Sequence, residues 1–218
     1  MSTSRIQCWF IDSLGSSSDR TFPHHRYECP RMFRNRARDI WELFLGIYVS
    51  DFELRGRQIF KLAILTISDT GSKGEREDTS GDAISKIMAD AGGFEEVARE
   101  VVADETGLIA GRLTEWSDTG DIDLVVTTGG TGLGPRDVTP EATRQVIDLE
   151  VPGIAEAMRM ETLKITPFAM LSRSVVGVRN GCLIVNLPGS PKGVTETLEV
   201  ALRGISHALE MVKGWRTH

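Results

Sequence analysis

The rhythm of apolar and polar positions changes near residue 58. Beyond it, residues 60–68 (FKLAILTIS) form a continuous apolar, β-rich run, the pattern of a strand buried on both faces. Residues 122–128 (IDLVVTT) read the same way, and residues 96–103 give another strand. Between the first two strands, Ile84, Ile87 and Met88 form one face of a helix. Thr79 is positioned to cap its first turn, Asp82 sits at the third helical position, and Gly92 and Gly93 stop it. Residues 106–116 predict a second helix. Thr139–Pro140 starts a third, with proline where a missing N–H costs nothing, and residues 153–164 predict a fourth. Residues 174–179 and 182–187 are two strands around Asn180–Gly181, a hairpin-turn pair. Ser190–Pro191 opens the last helix, whose Val194, Leu198, Ala201, Ile205, Leu209 and Val212 share one face. Strands alternating with helices predict an α/β domain with a mostly parallel sheet over residues 59–214. Ligands of such sheets bind at the carboxyl ends of the strands.

Residues 1–58 do not follow this pattern. Their one local element is residues 37–49, apolar nearly all round through Ile40, Trp41, Leu43, Phe44, Leu45, Ile47 and Tyr48. This stretch is too short to span a bilayer. The segment has nine arginines, no lysine and seven acidic residues, and holds nine of the fourteen aromatic residues. A targeting peptide, a docking segment and a poorly ordered extension all fit such a composition. Asp12, Asp19 and Glu28 speak against targeting, and the poorly ordered extension is the favoured reading.

The whole chain has 218 residues and a formal net charge of −6, which gives no broad electrostatic footprint for nucleic acid. No apolar run approaches the ~20 residues of a membrane span. Cys8, Cys29 and Cys182 have no metal-type spacing, and Cys182, in an apolar run, reads as a small core residue rather than a nucleophile. A cytoplasmic protein is expected. His207 and His218 have no partner pattern and read as surface residues.

Three polar loops follow three of the buried strands. The first contains Ser68 and Asp69 and reaches Thr79-Ser80-Gly81. The second runs Gly129-Gly130-Thr131-Gly132-Leu133-Gly134-Pro135-Arg136-Asp137. The third is Pro188-Gly189-Ser190-Pro191. Each ends at a helix start, where backbone N–H groups and partial positive charge favour phosphates. Arg136 adds a planar donor for phosphate oxygens. The glycine loop is not a P-loop, since no Gly-Lys-Ser/Thr follows, and Pro135 breaks the dinucleotide fingerprint. Alone, it fits a tight strand-to-helix turn as well as a ligand loop. Asp104 and Asp137 each stand between a strand end and a helix. Two carboxylates near phosphates suit Mg²⁺, although helix-start residues complementing the dipole fit the same positions.

Several motifs taken together resemble the Mog/MoaB family, which includes the G domains of gephyrin and the plant molybdenum-cofactor enzyme. They are Thr66-Ile67-Ser68-Asp69, Asp78-Thr79-Ser80-Gly81, Gly129-Gly130-Thr131-Gly132, residues 135–143 (PRDVTPEAT) and residues 186–191 (NLPGSP). Residues 161–173 (ETLKITPFAMLSR) resemble the G-domain branch in particular. The resemblance covers about 155 residues from Phe60 onward. It implies a three-layer α/β/α domain that forms a homotrimer and uses Mg²⁺ to transfer AMP from ATP to molybdopterin, releasing pyrophosphate. A molybdenum-insertion protein would receive the product. Asp104 and Asp137 match the family's functional aspartates. The glycine loop matches its pterin-phosphate segment, Pro188, Gly189 and Ser190 its nucleotide segment, and Ser172 and Arg173 a motif near the pterin. Ala103 stands where the family often has proline, which implies a less rigid loop before Asp104.

The implied chemistry joins two anions, so charge neutralisation and in-line positioning are the main tasks. An ionised phosphate needs no strong base. The aspartates are therefore expected to serve magnesium and positioning, with Ser68 and Asp69 beside the nucleotide. A non-catalytic pterin-binding scaffold and a nucleotide hydrolase on the same core remain the alternatives.

Overall fold

The computed structural model describes residues 59–215. The element expected at residues 37–49, the readings of residues 1–58 and His218 lie outside the described residues. The sheet has order β2-β1-β3-β6-β5-β4, with β1 Phe60–Ile67, β2 Phe94–Val102, β3 Leu124–Thr128, β4 Leu149–Glu150, β5 Val176–Arg179 and β6 Cys182–Leu187. β1, β2, β3 and β6 are mutually parallel, and β5 runs antiparallel to β6 and β4. The helices are α1 Thr79–Ala91, α2 Thr106–Asp118, α3 Thr139–Val146, α4 Pro152–Leu163 and α5 Pro191–Val212, with a 3-10 turn at Pro167–Leu171. The expected mostly parallel α/β sheet is present.

Strand periodicity divides the core. Leu62, Ile64, Leu124, Val126, Leu183 and Val185 face Ile84 and Met88 of α1, Met158 of α4, and Val194, Leu198 and Ile205 of α5. Ala63, Leu65, Val125 and Ile184 face Ile109, Leu113 and Trp116 of α2, and Ala142 and Val146 of α3. Both sheet faces are covered, which makes three layers and explains why the central strands carry no alternation. Each fully buried Leu or Ile contributes about 1.5–3 kcal/mol over its exposed state. Cys182 is fully buried in the second cluster, and burial pushes its thiol up to about 11. A polar cluster sits within the core. The amide Nδ2 of the buried Asn186 on β6 donates to Thr127 Oγ1 on β3 and Thr143 Oγ1 on α3, both at 3.0 Å.

Local corrections are small and have physical causes. Asp78, not Thr79, caps α1: its carboxylate accepts from Gly81 N–H at 2.9 Å and from Thr66 Oγ1 at 2.9 Å. Asn180 (φ 45°) and Gly181 (φ 80°) both adopt positive φ, as the expected tight hairpin requires. The two-residue β4 and the 3-10 turn carry no periodic signal and were not anticipated. Among the described residues, no helix is long and apolar enough to cross a membrane.

Candidate functional site

The carboxyl ends of β1, β2, β3 and β6 lie at one edge of the sheet, because these strands are parallel. After β1 the chain moves outward to β2, then returns to place β3 on the other side of β1. This reversal opens a crevice between the loops, the usual ligand position in such sheets.

The loops are tied to one another through their backbones. Gly129 (φ 102°) and Gly130 (φ 62°) turn the chain from β3 toward α3. A side chain at Gly129 would place its Cβ 2.2 Å from the Ile67 carbonyl oxygen; at Gly130 it would lie 2.4 Å from Thr139 Oγ1. Only glycine fits either position. Thr139 Oγ1 donates to Gly129 O at 2.9 Å and its N–H to Gly130 O at 3.1 Å, fastening the start of α3 to the turn. On the β6 side, Thr128 Oγ1 donates to Pro188 O at 2.7 Å and Ser80 Oγ to Gly189 O at 2.8 Å. Ser190 caps α5 by accepting from Gly193 N–H at 3.1 Å.

One group of predicted residues forms a charged cluster across the loop after β1, the loop between β2 and α2, and the glycine loop. The backbone N–H of Asp69 donates to Asp104 Oδ2 at 2.8 Å, and that of Asp104 donates back to Asp69 Oδ1 at 3.1 Å. Arg136 Nε donates to Asp69 Oδ2 at 3.0 Å and Nη2 to Asp69 Oδ1 at 2.7 Å. This guanidinium holds the Asp69 carboxyl below its ordinary value. Burial raises that of Asp104, with the negative charges of Asp69 and Asp137 adding to the effect. Glu105 N–H also donates to Ala103 O at 2.7 Å. The loop lacking a proline before Asp104 is thus held by hydrogen bonds. Ser68 Oγ accepts from Gly71 N–H at 3.1 Å and organises its own loop.

The second group lines a cleft of about 650 Å³ between the glycine loop, the Pro188–Ser190 loop, α4 and the 3-10 turn. Gly130, Thr131, Gly132, Asp137, Ser172, Pro188, Gly189 and Ser190 all contribute to its wall. The volume is that of a small-molecule site. Sequence reasoning did not single out Arg159, Thr162, Lys192 and Glu196, which also line it. The sequence had marked α4 only as a helical stretch and α5 only by its apolar face. Asp137 belongs to both neighbourhoods: it lines the cleft, and its charge reaches Asp104. Its Oδ2 accepts from Gly134 N–H at 2.7 Å. Arg173 turns toward the glycine loop, donating through Nε to Gly132 O at 2.7 Å and through Nη2 to Asp137 O at 2.5 Å. Gly129 lies behind the turn and does not line the cleft. Among the described residues, exposed His207 lies 3.6 Å from Glu210.

Among the described residues, no set of three or more His, Cys, Asp or Glu side chains could hold a metal ion. Asp104 and Asp137 nevertheless supply hard oxygen donors. Each keeps its Oδ2 on a backbone N–H, while its Oδ1 has no hydrogen-bond partner among the described residues. Carboxylate oxygens are the kind of donor that Mg²⁺ takes alongside substrate phosphates.

Known proteins are similar to this chain in sequence and fold. Residues 63–207 match the family described as "Probable molybdopterin binding domain". The chain is 44% identical over 158 residues to the molybdopterin adenylyltransferase of Helicobacter pylori (strain J99), a match covering 72% of this chain and 90% of that protein. It is 39% identical over 160 residues to gephyrin of Dictyostelium discoideum, covering 69% of this chain and 22% of that longer protein. The crystal structure of the molybdopterin biosynthesis enzyme MoaB from Thermus thermophilus superposes with a TM-score of 0.68 at 52% identity, covering 72% of this chain and all of that one. The match reaches from the first core strand to the last helix, and the chain belongs to this molybdopterin-binding domain family.

Proposed function

We propose that this chain is a molybdopterin adenylyltransferase of molybdenum cofactor biosynthesis, transferring AMP from ATP to the terminal phosphate of molybdopterin with release of pyrophosphate. One observation carries the reading: Asp137 stands where the cleft meets the Asp69–Asp104–Arg136 cluster. A pterin in the cleft would present its phosphate to the Gly130–Gly132 backbone. ATP would lie along Ser68–Asp69 and Pro188–Ser190. The two anions then approach each other beside Asp104 and Asp137. Bound there with the ATP phosphates, Mg²⁺ would supply positive charge to offset their repulsion.

The chain's own residues do the remaining work. Glycine-loop N–H groups hold the attacking phosphate in line. Asp69 occupies two donors of Arg136, leaving Nη1 for a phosphate oxygen. Burial raises the ionisation range of Asp104, with the charges of Asp69 and Asp137 adding to it, and a bound divalent cation would lower it again. No side chain is required as a base.

Incubating the protein with ATP, Mg²⁺ and molybdopterin should yield adenylyl-molybdopterin and pyrophosphate. A scaffold would bind the pterin and release no pyrophosphate, and a hydrolase would consume ATP without it. The exposed apolar stretch through Leu163, Ile165, Phe168 and Met170 supports a contact surface, and the family resemblance implies that the assembly is a homotrimer. Light scattering should give three times the chain mass; a monomer at micromolar concentration refutes it. Cytoplasmic placement and delivery of the product to a molybdenum-insertion protein complete the proposal.

A further inference from the structure

The 132–137 loop carries Asp137 but has no helix or strand of its own. Its internal ties are Gly134 N–H to Asp137 Oδ2 at 2.7 Å and Asp137 N–H to Gly134 O at 3.0 Å. What joins its two ends is a residue 36 to 41 positions further along the chain. Arg173 Nε donates to Gly132 O at 2.7 Å, and Nη2 donates to Asp137 O at 2.5 Å. Nη1 pairs with Glu141 on α3, and the Arg173 backbone N–H donates to Thr131 O at 3.0 Å. The guanidinium therefore spans the loop and anchors it to the first turn of the helix it leads into.

The family resemblance placed Arg173 among the pterin contacts. We infer that it is instead a positioning residue, a planar fork that fixes the direction in which the Asp137 carboxylate leaves the backbone. This inference rests on the adenylyl-transfer reading. Both loop acceptors are neutral carbonyls, so the geometry of the fork matters more than its charge. Lysine places one compact ammonium there and cannot reach both carbonyls while pairing with Glu141. The segment before Arg173 also forms one wall of the cleft, through Phe168, Leu171 and Ser172. One residue thus connects the cleft wall to the loop bearing Asp137.

The test compares full-length wild type with R173K, R173Q and E141Q. Adenylyl transfer is measured with molybdopterin varied at saturating ATP and Mg²⁺. Backbone amide exchange over residues 129–138 is followed on the same samples without substrate. R173K and R173Q should both lose about ten- to a hundredfold in kcat, the cost of a small misplacement of a reacting group. Their KM for molybdopterin should stay within about threefold, and their glycine-loop amides should exchange faster. E141Q keeps both carbonyl bonds and should keep its kcat within about threefold. Wild-type kcat in R173K overturns the inference. So does a loss confined to KM with unchanged exchange, which would make Arg173 a direct ligand contact. If R173Q fails to fold, R173K alone decides. If wild type transfers no AMP, the adenylyl-transfer reading fails. The exchange comparison then still supports or rejects Arg173 as the fork that holds the loop.

Discussion

Replacing Gly129 with alanine tests the architecture of the site at its tightest point. Gly129 has φ 102°, and its added Cβ would lie 2.2 Å from the Ile67 carbonyl oxygen. Ile67 ends β1, and the next N–H, of Ser68, is bonded to Val102 O at 2.9 Å, so β1 cannot easily retreat. Movement the other way would strain the bond from Gly129 N–H to Leu187 O at 3.2 Å. Two costs therefore add. A positive φ on an L-residue costs about 1–2 kcal/mol. Forcing a methyl group into packed structure costs about 1–3 kcal/mol more. The stiffer unfolded chain returns about 0.4–1 kcal/mol. The net is roughly 3 kcal/mol, or a fall in Tm of about 10 °C for a domain of this size. Gly120 is the control: it has φ 72° but nothing within 4 Å of an added Cβ, so it carries the backbone cost alone. Gly120→Ala should lower Tm by roughly 3 °C. Calorimetry on both variants measures the difference. If the two melt together, the close approach of the β1 and β3 ends is not what fixes glycine here, and the account of the crevice is wrong.

Asp137→Asn should lower the single-turnover rate of adenylyl transfer by about a hundredfold, or about 3 kcal/mol, with pterin affinity and Tm nearly unchanged. A variant that melts earlier yet turns over normally would make Asp137 a helix-start residue only. A chain beginning at Gln58 should stay soluble and keep most of the full-length Tm, because the two core clusters of the described residues are built from Phe60 onward; insoluble product would place residues 1–58 in the core. In a Cys8→Ser, Cys29→Ser background at pH 8, thiol reagents should modify Cys182 only as fast as the fold opens, because burial raises its thiol from 9.0 to about 11. Above pH 9 the sign is destabilising: the unfolded thiol ionises first, so stability falls as pH rises toward 11. Rapid labelling of native protein at pH 8 would contradict the burial of Cys182.

The sequence shows its fold most clearly where one local force dominates. The β6 strand at Cys182–Leu187 was legible to the residue, because Asn180–Gly181 fixes its start and Pro188 its end. The α1 cap was misread by one position. Asp78 and Thr79 are both cap-type residues, and what selects Asp78 is Thr66, twelve residues earlier on β1. The 3-10 turn at Pro167–Leu171 has neither period, and its walling of the cleft could not be read from spacing. The crevice itself was legible, since buried strands ending in polar loops must share an edge when parallel. The partners within it were not. Arg136 reads as a free phosphate donor until the fold brings Asp69 to it across 67 residues. Arg173 reads as a ligand contact in the sequence, and its bonds to Gly132 and Asp137 appear only in the fold.

The buried amide of Asn186 bears on how the sheet chooses among its possible alignments. Asn186 is paired with Thr127 in the β3–β6 ladder, and its Nδ2 is matched by hydroxyls on β3 and α3. A slip of two residues would keep every apolar side chain of β6 on its proper face, so hydrophobic burial alone discriminates weakly against it. Such a slip would strand the amide against aliphatic neighbours, at about 1–3 kcal/mol for the lost partners. It would also carry Pro188 some 6–7 Å along the strand direction, at ~3.3 Å per residue, away from the Thr128 hydroxyl it accepts from. The same polar contact that an aliphatic core would not need therefore acts as an index mark. It sets the level at which two loops, 60 residues apart in the chain, arrive side by side.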